Sequence, residues 1–576
     1  MGEQDTKIES LKINGTKTDD PDVMANAFNN YFSSIAQSLA EKVPNSQCSF
    51  SEYLNPPMPC SFGLTPTTPE EILNLSYSIH TTHSKGVDDI DPCIAAPCVS
   101  LIAPLLAEII NCSFNTGVVP QEIKIAKVVP IYKKGMRDDH TNYRPISILP
   151  YFAKYFEKIM YERLTAYVEK SHIIFHSQHG FQSGHSPFMA LMSMYDKISG
   201  AFENNEYSIG VFFDLAKAFD TVSHDILLKK LSTYGIRGTQ LAWFSSYLHN
   251  RLQCVSCNGS LSSMRKVKYG VPQGSNLGPL LFLLYINDLP NISPVLSFIL
   301  FADDTNVFYS HRSYHTLIQI VNAELKSIAE WFAANKLSLN LEKTAFILFR
   351  SHRKMSPPDS SLRLSINGTP ISQVNSTKFL GVFVDQHMKW NDHIKSISAK
   401  IAKNVGILYR ASYLLPPSVR TQLYYSLVYP YLAYCNMVWA STYDSRLHKL
   451  VLLQKRAVRC IAGTPMGSHT DPLFIRFKLL KLHQIRTFQI GVFMYRFVRD
   501  LLPRCFRGFF QLGSDIHPYF TRYSKCYRNI YARSNSRRYS IKYTGPGIWN
   551  GIPLSIQQAP NLQGFKRMLR AHVISG

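Results

Sequence analysis

The sequence predicts an α+β fold built around one small antiparallel sheet. Segments with strand character concentrate in the middle of the chain, and long helical patterns flank them on both sides. In the middle, the elements follow the order strand, helix, hairpin, helix, strand, which suits an antiparallel sheet with helices packed on one face. With 576 residues and a hydrophobic content of 45%, the chain is long enough for several domains with real cores.

The first part of the chain predicts helices separated by a linker. After an Asp-Pro-Asp start signal, apolar residues recur at helical spacing from Ala25 to Leu39. Residues 43–67 are rich in Pro, Ser and Cys, as is typical of a linker. Thr68-Pro69-Glu70-Glu71 forms a capping box with proline at the first helical position. A helical pattern then extends from about Gly86 to Val119.

The middle of the chain alternates strand and helix patterns. A strand over residues 126–132 ends in a basic turn, and a strand over residues 207–215 carries Asp214 near its end. Two short apolar runs enclose the turn Phe301-Ala302-Asp303-Asp304. The other predicted elements are helices at 150–169, 225–234 and 316–335, a Gly/Pro turn leading into a helix within 267–286, strands at 345–349 and 379–384, a small hairpin around Asn367-Gly368, and mostly helix from about Asn391 onward.

Asp303 and Asp304 form a carboxylate pair at the tip of the predicted hairpin. Burying two adjacent carboxylates is costly unless cations neutralise them, and a divalent metal bound by oxygen ligands explains the pair. If the strand before Asp214 lies beside this hairpin, the acids converge and can hold two divalent ions about 3.5–4 Å apart, as phosphoryl transfer requires. An isolated Asp-Asp turn is more often a solvated loop, and Asp220 fits a turn or helix-start carboxylate better than a metal ligand.

The net charge of +23 belongs entirely to the last third of the chain. From Lys395 to Gly576 there are 28 Lys and Arg residues against four acids, a net charge of +24, so the remainder carries −1. Positive charges at such a density repel one another unless a polyanion lies near. Aromatic rings among these charges favour binding of single-stranded nucleic acid over a generic basic surface or an anionic membrane. The interleaved residues are Tyr519, Phe520, Tyr523, Tyr527, Tyr531, Tyr539 and Tyr543, among Arg522, Lys525, Arg528, Arg533, Arg537 and Arg538.

Several other classes of protein are disfavoured by composition. No stretch of the sequence approaches the roughly 20 apolar residues of a membrane span, and the polar N-terminus has no signal-peptide pattern. Eleven cysteines without framework spacing indicate a reducing compartment, and the pair Cys254 and Cys257 fits ordinary thiols. We therefore expect no membrane association and a nuclear and/or cytoplasmic location.

Six sequence blocks follow one another in a fixed order. Together they resemble the reverse transcriptases of non-LTR retrotransposons (LINE elements), particularly the jockey-like group. The resemblance runs from about Gly86 to Val384, and weaker similarity extends into the tail at residues 453–459 and 545–550. The six blocks are residues 142–147 (NYRPIS), 212–220 (FFDLAKAFD), 270–275 (GVPQGS), 301–304 (FADD), 339–344 (LNLEKT) and 379–382 (FLGV).

This resemblance implies a right-hand polymerase fold with fingers, palm and thumb. The antiparallel sheet would lie in the palm, and the C-terminal region would be basic and mainly helical. The implied boundaries are an N-terminal helical extension and linker at 1–75, fingers at 76–206, palm at 207–385, thumb at 386–470 and the basic, aromatic-rich region at 471–576, with the reverse transcriptase domain overall at about 111–385.

The resemblance also implies a role for each candidate residue of the site. Asp214, Asp303 and Asp304 would be the catalytic carboxylates and would hold two Mg²⁺ ions, with Mn²⁺ as an alternative. Lys343 would be the general acid for pyrophosphate departure, although an exposed lysine at a helix end is an equal alternative. The nucleotide-binding residues would be Lys133, Arg144, Phe219, Gln273 and Gly274, and the primer grip would be Phe379, Leu380 and Gly381.

Physical reasons support some of these roles. Arg144 offers a planar bidentate fork to a triphosphate, and Lys133 offers a point charge. The ring of Phe219 would leave no room for a 2′-hydroxyl and so would select deoxynucleotides, although core packing is the simpler role for an isolated phenylalanine. Glycine beside Gln273 lets the backbone approach a ligand closely.

The chain also departs from the family pattern. Gln182 stands where relatives usually carry Arg, and Ile123 where they often carry Trp. Jockey-like polyproteins carry an endonuclease upstream, and residues 1–75 hold no His/Asp/Glu nuclease constellation. We therefore expect either a fragment of a longer reading frame or a decayed copy.

The expected function is RNA-directed DNA synthesis, in which a primer 3′-hydroxyl attacks a deoxynucleotide by two-metal phosphoryl transfer. The expected partners are template RNA, primer or target DNA, and deoxynucleoside triphosphates. One alternative is a catalytically inactive or domesticated remnant that only binds nucleic acid; the intact set of three acids argues against it. Another is an RNA-templated RNA polymerase, against which Phe219 argues.

Overall fold

The computed structural model describes residues 7–44, 46–79, 82–355, 363–515 and 525–575. The predicted tail residues Tyr519, Phe520, Arg522 and Tyr523 lie outside these ranges. The strands are β1 (Leu11–Ile13), β2 (Thr16–Thr18), β3 (Ile125–Tyr132), β4 (Tyr143–Ile148), β5 (Tyr207–Phe213), β6 (Arg251–Cys257), β7 (Ser260–Leu261), β8 (Arg265–Val267), β9 (Ser297–Phe301), β10 (Asp304–His311), β11 (Ala345–Phe349), β12 (Ser365–Ile366), β13 (Thr369–Pro370), β14 (Ser372–Gln373), β15 (Ser376–Phe379) and β16 (Val382–Asp385).

Helices form most of the rest of the described chain. They are α1 (Pro21–Lys42), α2 (Pro69–Ser76), α3 (Pro92–Thr116), α4 (Ala153–Lys170), α5 (Pro187–Glu203), α6 (His224–Thr233), α7 (Gly238–Leu248), α8 (Gly278–Ile286), α9 (Tyr314–Ala334), α10 (Asn391–Ala411), α11 (Pro417–Leu427), α12 (Tyr429–Ala433), α13 (Asn436–Trp439), α14 (Asp444–Ala462), α15 (Asp471–Arg476), α16 (Leu482–Val498), α17 (Asn535–Arg538), α18 (Ile541–Asn550), α19 (Leu554–Gln557) and α20 (Leu562–Ser575).

A five-stranded sheet with the order β14-β11-β5-β10-β9 confirms the predicted antiparallel sheet. The strands from β11 to β9 are antiparallel, and β14 adds a short parallel pair at the edge. The expectation of helices on one face was wrong. Val211 and Phe213 of β5 belong to one core with α8 and α9, whereas Phe212 belongs to a second core with α5 and α10. Because successive residues of the strands are apolar, both faces need a cover.

A second sheet, of order β4-β3-β6-β7 with β8 also on β6, was only partly predicted from the sequence. Strand β3 was predicted, but β4, β6, β7 and β8 were not, nor were α5 and α7. Strand β6 carries Arg251 and Gln253 at buried positions, so its sequence lacks a clear strand pattern. Strand β4 contains Pro145, which is tolerated because β4 lies at the sheet edge.

The predicted single strand over 379–384 is a hairpin. Strands β15 and β16 pair antiparallel, and Leu380 (φ 45°) and Gly381 (φ 82°) form the turn between them. Of the two, only glycine adopts a positive φ without cost. Because Gly381 lies within an apolar run, the sequence did not indicate a turn. The predicted hairpin at Asn367-Gly368 is confirmed as β12–β13, with φ values of 51° and 77°.

The helical predictions for both flanks are confirmed by α1 to α3 and by α10 to α20. By length and composition, α3 is apolar enough to cross a membrane, with a mean hydropathy of 2.1 over its best 18 residues, although the sequence suggested no such stretch. A third of that stretch is buried, and core helices pass the same test. Helix α3 packs against α2 and α7.

Candidate active site

Three acids meet at one end of the central sheet. Asp214 directly follows β5, and Asp304 is the first residue of β10. Thr305 pairs with Phe213, so one further step along the same register places Asp304 opposite Asp214. Opposite residues of an antiparallel pair have Cβ atoms about 4.5–5.5 Å apart. Asp303 lies in the turn between β9 and β10, at the same end of the sheet.

The turn that carries Asp303 is held by a residue that the sequence did not single out. Phe301 pairs with Asp304 across a two-residue turn in which Ala302 has a φ of 56°. The Gln178 side-chain carbonyl accepts the backbone N–H groups of Ala302 (3.0 Å) and Gly180 (2.9 Å). A Cβ on Gly180 would lie 2.4 Å from the Ala302 nitrogen, so only glycine allows this approach. Gln178 is therefore a positioning residue for the carboxylates.

The three carboxylates repel one another. Desolvation and then the Asp303 and Asp214 charges raise the pKa of Asp304 to about 6. Desolvation is also the largest effect on Asp303, and the Asp214 charge adds to it, so the pKa of Asp303 is raised. Converging carboxylates of raised pKa form a set of hard oxygen donors that fits a divalent cation such as Mg²⁺ or Mn²⁺.

Three cations act on the acids. The Lys343 ammonium lies 3.3 Å from an Asp214 carboxylate oxygen, and both side chains are about half exposed. The charges of Arg144 and Lys133 act on Asp303 against its raised pKa. Burial and then the Arg144 and Lys343 charges lower the pKa of Lys133. These interactions place the predicted residues Lys133, Arg144 and Lys343 around one cleft.

Lys217 is a fourth cation, to which the sequence gave no role. Its ammonium donates to the Tyr143 carbonyl (3.3 Å). Burial lowers its pKa, with Asp220 opposing and the Arg144 and Lys343 charges adding to the shift. Its left-handed backbone (φ 53°), in the turn after β5, directs the residue toward the second sheet. Its position between Asp214 and Phe219 in one sequence block is the signal that could have identified it.

The loop with Gln273 joins this cleft to the second sheet. The Gln273 amide donates to an Asp220 carboxylate oxygen (2.7 Å), and the Ser147 N–H donates to the Gln273 carbonyl (2.8 Å). The buried Glu157 accepts the Asn276 N–H (2.8 Å) and so holds the far end of the loop. These three hydrogen bonds fix the position of the loop.

Gly274 is a position of this loop that has no room for a side chain. Its φ is +126°, and a Cβ would lie 2.5 Å from the Ser147 carbonyl oxygen. We expect Gly274→Ala to displace the loop and to raise the KM for the incoming nucleotide about tenfold, since strain of this kind costs about 1–3 kcal/mol. Gly259→Ala is the matched control, because Gly259 also has a left-handed φ (+90°) but open space around it. Equal effects of the two variants on the KM would contradict the proposed role of Gly274 in nucleotide binding.

Asp220 is a half-buried acid outside the three-carboxylate group, consistent with the interpretation as a turn carboxylate. Burial raises its pKa to about 6, opposed by the Gln273 hydrogen bond and by Lys217. Its second oxygen has no hydrogen-bond partner among the described residues. The Asp220 carboxylate therefore holds the loop that carries Gln273, and the free-energy cost of its burial depends on pH.

The raised pKa of Asp220 predicts a pH-dependent stability. The folded state binds the Asp220 proton more tightly than the unfolded chain, so this group's contribution to stability falls as pH rises from about 4 to above 6. We expect Asp220→Asn to lose less stability than the wild type between pH 5 and pH 7.5, as measured by urea unfolding at both values. Parallel losses in the two proteins would show that Asp220 has an ordinary pKa.

Phe219 and the predicted primer grip pack on elements that adjoin the three acids. The Phe219 ring is half-buried and stacks on Phe282 of α8 (4.6 Å). Phe379 is buried and packs on Phe212 (5.8 Å), which lies two residues before Asp214. The Tyr434 hydroxyl donates to the Leu380 carbonyl (2.7 Å), so the β15–β16 turn is anchored to the helical region that follows.

A separate cluster of metal-ligand types lies at the start of α3. Within the described residues, His83, Asp91 and Cys93 have ligand atoms within 4.8 Å of one another, a tighter group than the three acids of the cleft. The His83 side chain is 83% exposed, and Asp91 already caps α3 by accepting the Cys93 N–H. This cluster is explained as a helix cap.

Comparison with known proteins finds similarity over the same region. Residues 131–384 match the family described as reverse transcriptase (RNA-dependent DNA polymerase). The chain is 29% identical over 454 residues to the RNA-directed DNA polymerase from mobile element jockey of Drosophila melanogaster, covering 76% of this chain and 49% of that protein. It is 27% identical to the probable RNA-directed DNA polymerase from transposon X-element of the same species, covering 72% and 46%.

A third relative is the probable RNA-directed DNA polymerase from transposon BS of Drosophila melanogaster, at 28% identity with 72% of this chain and 46% of that protein covered. The chain thus spans about half the length of the curated relatives it matches. Among solved structures, an apo telomerase from Candida Tropicalis aligns with a TM-score of 0.32 and 12% identity, covering 46% of this chain and 54% of that one.

Proposed function

We propose, from the premise that residues 131–384 form a reverse transcriptase domain of the jockey-like non-LTR retrotransposon kind, that this chain is an RNA-directed DNA polymerase. The observation that carries the proposal is the group of Asp214, Asp303 and Asp304 at one end of the central sheet, with three cations beside it. Acids for metal and cations for a triphosphate, in one cleft, suit nucleotidyl transfer.

The residues of the cleft have two kinds of proposed role, metal binding and triphosphate binding. Asp214, Asp303 and Asp304 would hold two Mg²⁺ ions, which lower the pKa of a primer 3′-hydroxyl and neutralise a pyrophosphate leaving group. Arg144 and Lys133 would bind the triphosphate, which fixes the α-phosphate in line with the primer end. Lys343 pairs with Asp214 in this structure and would donate a proton to pyrophosphate once that pairing is released.

The domains follow from this assignment. We infer that the central sheet is the palm, that β3, β4 and α4 belong to the fingers, and that the helices from α10 to α14 form the thumb. The boundaries remain those expected from the sequence, with the palm at 207–385 and the thumb at 386–470. The turn at Leu380 and Gly381 lies against Tyr434 of the inferred thumb, and this contact supports its proposed role as the primer grip.

The test of the function is primer extension on poly(rA)/oligo(dT) with Mg²⁺ and dTTP, with the Asp303→Asn protein as the inactive control. We expect synthesis by the wild-type chain only, and replacement of the poly(rA) template by poly(dA) reports its preference for RNA. If the wild-type chain makes no product but still binds RNA tightly, the chain is a nucleic-acid-binding remnant of such an element.

Phe219 should decide between deoxynucleotides and ribonucleotides. A ring under the sugar excludes a 2′-hydroxyl by steric clash, and Phe219→Ala removes that ring. We expect the ratio of kcat/KM for dTTP over UTP to fall by about tenfold or more, a change of at least about 1.4 kcal/mol in discrimination. Phe219→Tyr keeps the ring and should keep the ratio. An unchanged ratio in Phe219→Ala would make this residue a packing residue against Phe282.

A further inference from the structure

A second basic cavity lies at the end of the central sheet opposite the three acids. It has a volume of about 370 Å³ and is lined by residues that precede β5, follow β11 and β16, and precede α14, and by the segment around α17. Strand β5 has seven residues, which at about 3.3 Å each separate this cavity from Asp214 by roughly 20 Å. The residues that matter below are Arg353, Lys389, Tyr443, Arg446, Arg533 and Tyr539.

The cations of this cavity outnumber the acids beside them. Arg353, Lys389, Arg446 and Arg533 make no salt bridge within the described part of the chain. The acid of the lining, Glu203, is already occupied, since it accepts the Ser534 N–H (2.9 Å) and the Ser534 hydroxyl (2.6 Å). The nearby Asp385 likewise accepts the Lys389 N–H (2.9 Å). Four cations face two carboxylates here, so a net positive charge remains for an external anion.

Aromatic rings accompany these charges. Tyr443 and Tyr539 meet edge to face at 5.6 Å, and 43% of Tyr443 is exposed. The Arg446 guanidinium lies 5.2 Å from the centre of the Tyr443 ring and donates to the Thr442 hydroxyl (3.1 Å), so it is held in place before any ligand binds. Cations that track phosphates beside rings that stack on bases are the means by which proteins bind single-stranded nucleic acid.

The segment around α17 is held against α5, and this docking forms one side of the cavity. Arg537 and Lys542 both bind Asp196 of α5, at 2.7 and 2.8 Å, and the Tyr195 hydroxyl donates to the Ser536 carbonyl (2.7 Å). These contacts dock the tail on α5. Part of the tail's positive charge is therefore used inside the protein, and the docking leaves Arg533 at the mouth of the cavity.

We propose that this cavity binds a single-stranded nucleic acid segment, with phosphates on Arg353, Lys389 and Arg533 and a base against Tyr443, separately from the catalytic cleft. The rings and the volume favour a nucleotide strand over an acidic peptide, which would use the cations alone. The proposal concerns binding, so it stands or falls independently of whether the chain synthesises DNA.

The test measures binding of a fluorescent 12-nucleotide oligo(rC) by anisotropy. The catalytic cleft is first saturated with a short RNA–DNA hybrid whose primer ends in a dideoxynucleotide. The triple variant Arg353→Gln/Lys389→Gln/Arg533→Gln is compared with Lys12→Gln/Lys17→Gln/Lys42→Gln, an equal charge change on exposed lysines of the N-terminal part. Tyr443→Leu tests the stacking separately, and circular dichroism confirms that each variant is folded.

We expect the cavity triple variant to bind oligo(rC) at least tenfold more weakly, and the slope of log K against log salt to fall by about 2, since each lost contact contributes about 0.7. The control triple should change affinity less than twofold, and Tyr443→Leu should weaken binding severalfold. Comparison with oligo(dC) tells whether the site takes RNA or any single strand. Equal affinities of the two triple variants, complete displacement of oligo(rC) by the hybrid, or binding of a polyglutamate peptide in place of oligo(rC) would overturn the proposal.

Discussion

Asp303→Asn is expected to reduce primer extension by about 10³-fold or more without unfolding the protein. Asparagine keeps the size of the side chain but removes the negative charge that a divalent cation needs. Loss of metal charge at the reacting phosphate costs several kcal/mol, and each ~1.4 kcal/mol is a factor of ten in rate. Steady-state dTTP incorporation on poly(rA)/oligo(dT) measures the loss directly.

A stability measurement separates this catalytic role from a structural one. The pKa of Asp303 is raised by desolvation and by Asp214, so its charge disfavours the metal-free fold at neutral pH. We therefore expect Asp303→Asn to raise the melting temperature of the metal-free protein at pH 7.5 while it abolishes synthesis. Asp225→Asn, on the exposed side of α6, is the matched control and should change neither quantity. A lower melting temperature in Asp303→Asn would assign this residue to the fold instead.

The sequence predicted the strands that have a local pattern and missed those that depend on contacts with other segments. The strand before Asp214 and the hairpin around Asp303 were predicted because each is a short apolar run bounded by turn residues, a local signal. Strand β6 was missed because it buries the polar residues Arg251 and Gln253, and the Gln253 amide finds its partner, Asn29, 224 positions away. No local pattern shows such pairings.

The same division holds for the site. The three acids and the loop with Gln273 could be identified from motifs that are contiguous in sequence. The support given by Gln178 to the Ala302 turn could not, because the two residues are 124 positions apart. Nor could the role of Asp220 as the partner of Gln273, which depends on the fold of the 270–275 loop. The residues proposed to act on the substrate lie in contiguous motifs, whereas the contacts that position them form only in the tertiary structure.

Lys230→Met is expected to cause the largest loss of stability in the described part of the chain, about 3–5 kcal/mol. Lys230 and Asp288 are almost completely buried, at 0% and 2% side-chain exposure, and their charged atoms lie 2.6 Å apart. The Lys230 ammonium also donates to the Tyr285 carbonyl (2.6 Å). Methionine fills the same volume but leaves Asp288 buried beside Trp331 without a countercharge. Urea unfolding at pH 7.5 measures the loss.

A double-mutant cycle shows whether the loss comes from the unpaired charge. Lys230→Met/Asp288→Leu removes both charges, and we expect it to recover most of the stability, since replacing a buried ion pair by apolar residues is often neutral. The single variant should also lose less at pH 5 than at pH 7.5, because burial raises the pKa of Asp288 and loss of Lys230 raises it further, so the carboxyl becomes neutral. A double variant as unstable as the single one would mean that packing between α6, α8 and α9, and not charge, holds this junction together. Because α8 directly follows the loop that carries Gln273 and Gly274, a weakened junction should also raise the KM for dTTP.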